Sequence, residues 1–440
     1  MAVPSLTTPV HIGSTDAPTQ HSSWRCRQGR RTTFVACASD WKRHFLNRCF
    51  PDRELQFLPP DLETHHSQSE WRQRIFSCEH CDIFVWGPSL PRSLETVVYE
   101  RKIPVWFVED GFLRSSRPSA SRSYPLSLTI DGRAPYFDCH QETDLELLLK
   151  TYDFDADTEL LERARVGIGQ LLGAGVSKYN SVPQRTAEEV YGDKTCKRIL
   201  VIGQVEDDAS IRRGCLTAIT NNDLVRMAAS EQPHAQIFYK PHPDVLSRVR
   251  SVKSDPAEVS HLCQIVREHL PLAEALRTVD HVYTITSLAG FEALLRGIPV
   301  TTAGSPFYAG WGLTDERQEN PRRGRPLSLE ALFAAAYLLY PRYFDPETGE
   351  ETSFETTVAM IKRQLTDPEA LVLSRPAWRP WGPYGLLGWR HLVSALIAPA
   401  IRHAGNDRDI EDFQADPIRF FRSLSDPRLR LIGRILYPFG

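Results

Sequence analysis

Residues 198–210 read RILVIGQVEDDAS, a short apolar run followed by a glycine and three carboxylates. The apolar run 198–202 predicts a buried strand of a parallel sheet. Ligands of open parallel sheets bind beyond the carboxyl ends of the strands, so residues 203–210 are expected at a ligand site. A solvated loop would tolerate any one of these acids equally well. The other strand ends must therefore decide between the two interpretations.

Strands and helices keep alternating on both sides of this stretch, which predicts an α/β protein with two doubly wound sheets. Downstream, a second domain is expected over residues 196–350, with strands at 235–240, 281–285 and 299–302 and a helix at 290–296. Upstream, a first domain is expected over residues 32–185, with strands at 33–38, 81–86 and 104–108 and helices at 41–50, 93–101, 144–149 and 158–172. The polar stretch 182–194 contains Pro183 and is predicted to cross between the domains.

Composition narrows the class of protein. The 440 residues are 41% hydrophobic and 24% charged, which is typical of a globular chain. A formal net charge of −3 gives no basis for non-specific binding to nucleic acid, so no nucleic-acid partner is expected. Of nine cysteines, only Cys78 and Cys81 form a close pair, and the lack of a second pair favours a loop with reduced thiols over a zinc site.

Both ends of the chain differ from the two domains. Residues 1–31 are polar and lack the apolar stretch of a secretory signal, which predicts a disordered leader and a cytoplasmic location. The tail 351–440 is rich in Trp, Pro, Arg and Leu and is predicted to form basic helices. Its most apolar segment, 384–400, is interrupted by Arg390 and His391, so it is not expected to cross a membrane.

Two further strand ends of the second domain carry groups suited to a phosphate. Lys240 offers a cation, and His242 stands between two prolines that restrict its backbone. Thr286 and Ser287 lead into a helix whose amides suit an anion, and Glu292, expected in that helix's first turn, could accept hydrogen bonds from ribose hydroxyls. Ordinary helix capping would explain these residues equally well if they stood alone.

The first domain and the crossing segment supply their own candidates. Glu109 ends a predicted strand, and Arg114 could clamp a carboxylate. Lys178 could reach either domain, although solvation is the usual state of a lysine. The aromatic segment 307–314 fits a cleft wall and a packed loop equally well. The sequence has no GxxxxGK[ST] loop, no well-placed GxGxxG and no GxSxG elbow, which counts against kinases, nicotinamide dehydrogenases and serine hydrolases of the usual kinds.

Taken together, these motifs resemble the KpsC-type capsular polysaccharide β-Kdo transferases, where Kdo is 3-deoxy-D-manno-octulosonic acid. The resemblance covers about residues 33–345 and rests on EDGFLRS (109–115), PLSL (125–128) before the Asp131-Gly132 turn, SKYN (177–180), GQVEDDASI (203–211), YKPHPDV (239–245), TSLAGFEALLRG (286–297), PFYAGWGLT (306–314) and YPRY (340–343). Family members typically hold two modules in tandem. This chain has one, most like their C-terminal module.

The resemblance implies a GT-B-like architecture, with two Rossmann-type domains facing a cleft and helices at the C-terminus. It also implies retaining transfer of Kdo from the donor CMP-Kdo to a lipid-linked Kdo acceptor in capsule biosynthesis. By resemblance, Asp208 would be the nucleophile of a double displacement, with Gln204 beside it. Glu109 is predicted either to act as the acid/base or to orient the acceptor. The remaining candidates would bind nucleotide or sugar: His242, Lys240, Thr286, Ser287, Glu292, Lys178 and Arg114. No motif demands a metal or another cofactor.

Two other functions remain open. The protein could use another CMP-activated acidic sugar, or it could be a non-catalytic assembly or export component that binds capsule lipid through its basic tail. Capsule assembly proteins are further candidate partners. For the tail, one hypothesis is that it binds the inner membrane surface, with arginines facing anionic lipid and aromatic side chains inserted into the bilayer. The arginines are Arg390, Arg402, Arg419, Arg422, Arg428 and Arg430. The aromatic residues are Trp389, Phe420 and Phe421. The alternative is that the tail packs on the two domains.

Overall fold

The computed structural model describes residues 31–38, 40–59, 62, 65–115, 124–178, 180, 185–246, 253–268, 270–346, 348–366, 413, 420–421 and 427–436. These residues form two α/β domains, each built on a twisted sheet with helices on its faces. The predicted fold class, two Rossmann-type domains, is confirmed.

The first sheet has seven strands in the order β13-β12-β5-β4-β3-β1-β2. Strands β1 to β4 are parallel, whereas β5, β12 and β13 join through antiparallel pairs. Within β3, Ile83 and Val85 are wholly buried, as expected for a parallel strand covered on both faces. The strands are β1 (Arg31–Ala36), β2 (Arg53–Phe57), β3 (Cys81–Trp86), β4 (Val105–Asp110), β5 (Ser127–Asp131), β12 (Arg342–Phe344) and β13 (Glu351–Thr352).

The second sheet has six strands, all parallel, in the order β11-β10-β9-β6-β7-β8. Its central strand is the apolar run that begins at Arg198, and every residue of that strand is buried. The strands are β6 (Arg198–Ile202), β7 (Gln236–Lys240), β8 (Gln264–Ile265), β9 (His281–Thr284), β10 (Val300–Thr302) and β11 (Asp315–Glu316).

Helices connect the strands and cover both sheets. Those before β6 are α1 (Asp40–Cys49), α2 (His65–Ser77), α3 (Arg92–Arg101), α4 (Asp144–Thr151), α5 (Thr158–Gly173) and α6 (Ala187–Tyr191). Those after it are α7 (Ala209–Gly214), α8 (Asn221–Glu231), α9 (Pro243–Leu246), α10 (Leu272–Ala275), α11 (Leu288–Leu295), α12 (Leu329–Phe333), α13 (Phe354–Thr366) and α14 (Pro427–Leu436). A 3-10 helix spans Pro256–Val259, and a π-helix spans Ala334–Leu339.

The predicted domain boundaries need two corrections. Strands β12 and β13 lie in the first sheet, whereas the sequence placed the residues of β12 in the second domain (196–350) and those of β13 in the tail (351–440). The chain therefore returns to the first domain after completing the second. The segment 182–194, expected only to be a polar crossing, contains α6, whose Thr186 and Glu189 form a reciprocal capping box.

The aromatic segment 307–314 is a packed loop rather than an open cleft wall. Phe307 and Tyr308 are buried, and the indole of Trp311 is wholly buried and donates to the Phe307 carbonyl at 2.8 Å. The Phe307 ring packs on Phe112 of the first domain with centroids 4.8 Å apart. This loop therefore belongs to the apolar contact that joins the domains.

Most of the C-terminal tail, including Trp389, Arg390, Arg402, Arg419 and Arg422, lies outside the described residues. Phe420 and Phe421 are described and buried, with ring centroids 5.6 and 5.8 Å from that of Phe413. These two rings therefore pack within the protein instead of being exposed for insertion into lipid. Within the described ranges, no helix combines the length and apolar character needed to cross a bilayer.

Candidate active site

Each sheet has one edge at which the carboxyl ends of its parallel strands meet. In the first sheet, the carboxyl ends of the parallel strands β1, β3 and β4 lie side by side. In the second sheet, the carboxyl ends of β6, β7 and β9 lie side by side. Contacts beside these edges hold the domains together, because Arg213 of α7 pairs with Asp138 at 2.7 Å and its carbonyl accepts from the Cys139 amide at 2.8 Å. These contacts place α7, which follows the candidate loop after β6, against the first domain.

Asp208 lies in the loop between β6 and α7 and caps that helix. Its Oδ1 accepts hydrogen bonds from the Ser210 amide at 2.9 Å and the Ser210 hydroxyl at 2.8 Å. Both bonds end on Oδ1, so Oδ2 has no hydrogen bond from the described part of the chain. The helix-cap and reactive-carboxylate interpretations are thus compatible, since one oxygen can serve each purpose.

Gln204 joins the loop after β6 to the loop after β9. Its Nε2 donates to Thr286 Oγ1 at 3.0 Å, and its Oε1 accepts from the Thr286 amide at 2.8 Å. Asn221 of α8 holds the Gln204 backbone through two more bonds, of 2.9 and 2.8 Å. Gln204 therefore fixes the shape of the cleft wall beside Asp208. Sequence reasoning missed Asn221, which no strand end marks.

Glu206, one of the three acids after β6, turns inward. It is 9% exposed and accepts from the Asn221 amide at 2.6 Å and the Ser254 hydroxyl at 2.5 Å. Its carboxylate thus orders the loop, and the reactive candidate among these acids remains Asp208.

The phosphate candidates of the second domain stand at the ends of β7 and β9, the two strands that flank β6. Ser287 caps α11, accepting from the Ala289 amide at 3.2 Å, so the amino end of this helix faces the ligand edge. Lys240 is the last residue of β7, and burial lowers the pKa of its ammonium group. His242 follows it and is half-buried. A helix N-terminus, a cation and an imidazole are groups that bind phosphate in proteins.

Glu292 differs from its predicted position. It lies in the second turn of α11 rather than the first, and it is only 2% exposed. Its Oε1 accepts from the Lys178 amide at 3.2 Å, and burial raises the pKa of its carboxyl to about 7. This glutamate links the second domain to Lys178, which precedes the crossing segment, and contact with ribose stays a prediction. The Lys178 ammonium lies 3.3 Å from the Tyr136 hydroxyl of the first domain.

Glu109 is the first domain's counterpart to Asp208. It stands near the end of β4, where burial, followed by the charge of Asp110, raises the pKa of its carboxyl to about 7. The charges of Lys42 and Lys178 oppose this rise, and that of Asp208 adds to it. The charge of Asp208 acts on Glu109, which indicates that the two predicted catalytic carboxylates, one from each domain, lie near each other.

Arg114 lies inside the first domain. Its side chain is 2% exposed, and its Nε donates to Asp110 at 2.7 Å. This buried ion pair is an internal contact, so the geometry gives no support to Arg114 as a clamp for a substrate carboxylate.

Sequence reasoning also missed Lys42 and Trp86. Trp86 ends β3, and the Lys42 ammonium lies 3.3 Å from the centroid of its ring. Their positions in the sequence were the only signal for them: Lys42 follows a strand, and Trp86 ends one, and the carboxyl ends of these strands lie at the ligand edge.

The structure defines a two-domain α/β protein in which the two candidate carboxylates, Asp208 and Glu109, belong to different domains. The model of the family described as capsule polysaccharide biosynthesis protein matches residues 82–343. The chain belongs to this family and is of the KpsC type.

Similar proteins support this assignment. The lipopolysaccharide-processing protein LpsZ of Rhizobium meliloti is 42% identical over 321 residues, which are 73% of this chain and 72% of LpsZ. The capsule polysaccharide modification protein LipA of Neisseria meningitidis serogroup B is 36% identical over 74% of this chain, which spans 44% of the length of LipA. Two solved structures of Thermosulfurimonas dismutans KpsC are also similar. The beta Kdo 2,4 transferase is 30% identical to this chain, with a TM-score of 0.61. The beta Kdo 2,7 transferase is 31% identical, with a TM-score of 0.58. Each match covers 76% of this chain and 99% of the chain in the solved structure.

Within the described ranges, no three histidine, cysteine or carboxylate side chains converge as metal ligands would. That no metal or other cofactor is needed stays a prediction.

Proposed function

We propose that this protein is a glycosyltransferase that moves Kdo from CMP-Kdo to a lipid-linked Kdo acceptor during capsule biosynthesis, with retention of configuration. The observation that carries the proposal is the electrostatic interaction between Asp208 and Glu109, one from each domain. The predicted phosphate-binding groups at the ends of β7 and β9 support it. The similarity to two KpsC Kdo transferase structures supports the choice of sugar.

In the first displacement, Asp208 Oδ2 attacks the anomeric carbon of the donor, and the bond from that carbon to the phosphate oxygen breaks. CMP leaves with the bonding electron pair. Lys240, His242 and the amino end of α11 stabilise the phosphate charge that develops. Gln204 and Thr286 keep the loop that carries Asp208 in place.

In the second displacement, Glu109 takes the proton from the acceptor hydroxyl, whose oxygen attacks the anomeric carbon and releases Asp208. A carboxyl with a pKa of about 7 suits this step, because it is a stronger base than an ordinary carboxylate yet is substantially ionised near neutral pH. Two inversions at the same carbon give net retention.

The proposal predicts a covalent adduct on Asp208. Intact-protein mass spectrometry with fresh CMP-Kdo and no acceptor should show a gain equal to one Kdo unit. Asp208→Asn keeps an oxygen that can cap α7 but cannot act as the nucleophile, so it should give no adduct and lower kcat by roughly 10⁴-fold.

Asp157→Asn is the matched control, since Asp157 caps α5 with its Oδ1 on the Leu160 amide at 3.0 Å. This variant should form the adduct like the unmodified protein. Absence of both the adduct and transfer to a Kdo-terminated glycolipid would contradict the proposal. An adduct formed with another CMP-activated sugar instead would show that this other sugar is the donor.

A further inference from the structure

Lys42 occupies an electrostatically unfavourable position. It lies in the first turn of α1, where the positive end of the helix dipole disfavours a cation. Its side chain is half-buried, and burial lowers the pKa of its ammonium group to about 8. The face of the Trp86 ring, 3.3 Å from the ammonium nitrogen, offsets part of this penalty through a cation–π contact. A lysine that served only as a solvated surface charge would be expected to extend into water, away from the protein.

The position of Trp86 brings this cation to the ligand edge. Trp86 ends β3 and pairs with Val108 of β4, so its neighbour across the ladder directly precedes Glu109. The charges of Asp110 and Glu109 both act on Lys42. Asp110 already has Arg114 as an ion-pair partner at 2.7 Å. Lys42 therefore adds positive charge beside the predicted acid/base.

The charges of the cleft divide between the two domains. Lys240 belongs to the second domain, beside the groups assigned to the donor phosphate, and Lys178 lies where the domains meet, with its amide on Glu292 of the second domain. Lys42 belongs to the first domain, which faces the acceptor. In a transfer between two Kdo units, each sugar carries a carboxylate next to its anomeric carbon, and like charges brought together in a cleft repel. A cation on the acceptor side counters that repulsion.

We propose that Lys42, held against the face of Trp86, forms a subsite for the carboxylate of the acceptor sugar. This inference rests on the proposed function and deepens it, because it assigns acceptor specificity to residues that no motif marks. The ring restricts the directions open to the ammonium group, so the subsite favours an acidic sugar in one orientation over a neutral one.

The test compares two synthetic acceptors, a Kdo-terminated glycolipid and the same molecule with its terminal carboxylate converted to the methyl amide. The unmodified protein should have a KM for the amide roughly 10- to 100-fold above that for the acid, the range expected for loss of a charge-assisted hydrogen bond. Lys42→Met should raise KM for the acid by a similar factor and remove most of the discrimination. Lys42→Arg should retain part of it. Lys362→Met, at an exposed lysine of α13, is the matched control and should behave like the unmodified protein.

Donor hydrolysis without acceptor separates this inference from the proposed function. Lys42→Met should still hydrolyse CMP-Kdo with an unchanged KM for the donor, which also shows that the variant is folded. Equal KM values for acid and amide in the unmodified protein would overturn the subsite while leaving the transferase intact. A higher donor KM in Lys42→Met, with acceptor discrimination kept, would overturn it by assigning Lys42 to the donor. A changed pH profile with acceptor KM unchanged would likewise overturn it.

Discussion

Two glutamates of the first domain have carboxyl pKa values displaced in opposite directions by their surroundings. Burial and the charge of Asp110 raise the pKa of Glu109 to about 7. A hydrogen bond from Lys150, only 2.6 Å away, lowers that of Glu142 below its usual range. Both are glutamates, so the difference comes entirely from what the fold places beside them. Only the first is suited to exchange a proton near neutral pH.

This difference predicts how transfer depends on pH. A base must be ionised, so kcat for transfer to the acceptor should rise as pH increases through about 7 and be low below it. Glu109→Gln should be slower by roughly 10²- to 10⁴-fold and should lose that rise, whereas Glu142→Gln should keep it. The measurement is kcat against pH under saturating substrates. An identical rise in Glu109→Gln would assign the titration to another group, such as Glu292, whose carboxyl pKa burial also raises to about 7.

At the scale of elements, α11 depends on close approach to its neighbours. A Cβ atom added at Gly290 would overlap the Tyr308 hydroxyl and come within 2.9 Å of Thr284 Cγ2, so only glycine fits between the helix, β9 and the aromatic loop. Gly169 is also a helical glycine, in α5, but no atom lies within 4 Å of the position that an added Cβ would occupy there. The two glycines are therefore a matched pair.

Replacement of each by alanine should move stability in opposite directions. Gly290→Ala should lower the free energy of unfolding by about 1–3 kcal/mol through overpacking. Gly169→Ala should raise it by about 0.5–1 kcal/mol, because alanine has the higher helix propensity. Urea denaturation monitored by circular dichroism measures both. A neutral Gly290→Ala would mean that α11 can shift away from β9 at no cost.

The sequence predicted best those helices and strands whose hydrophobic pattern is complete within a few consecutive residues. Strands β3 and β6 are buried apolar runs, and the acids after β6 marked the cleft because parallel strands end at one edge. Strands β2 and β5, which were not predicted, mix polar and apolar residues, as in RELQF and SLTID. Lys42 escaped prediction for another reason, since its surroundings depend on Trp86 and on β4, which only the folded sheet brings to it.

Across the whole molecule, the two domains are held by a buried carboxylate. Glu146 of α4 accepts from Arg322 at 2.7 Å and from Arg323 at 3.1 Å, and both Glu146 and Arg323 are only 2% exposed. These arginines follow β11 of the second sheet, so the ion pairs cross between domains. Removal of one partner from such a cluster leaves an uncompensated buried charge.

Glu146→Gln, which keeps the shape but not the charge, should therefore lower the free energy of unfolding by about 3–5 kcal/mol. Glu162→Gln removes a carboxylate from an exposed pair with Arg165 and should leave stability unchanged within error. Guanidinium denaturation followed by tryptophan fluorescence compares them. Equal effects would show that solvent or a rearranged side chain replaces the buried contact.

The return of the chain to its first sheet also has a consequence for synthesis. Strand β5 is complete at Asp131, but β12, its partner in the sheet, begins only at Arg342, about 210 residues later. At the usual speed of a ribosome, this interval is roughly 10 to 40 seconds. All six strands of the second sheet are made within it. The nascent chain can therefore finish the second sheet while β5 of the first sheet still has an open edge, and that edge exposes unpaired backbone groups until β12 is made.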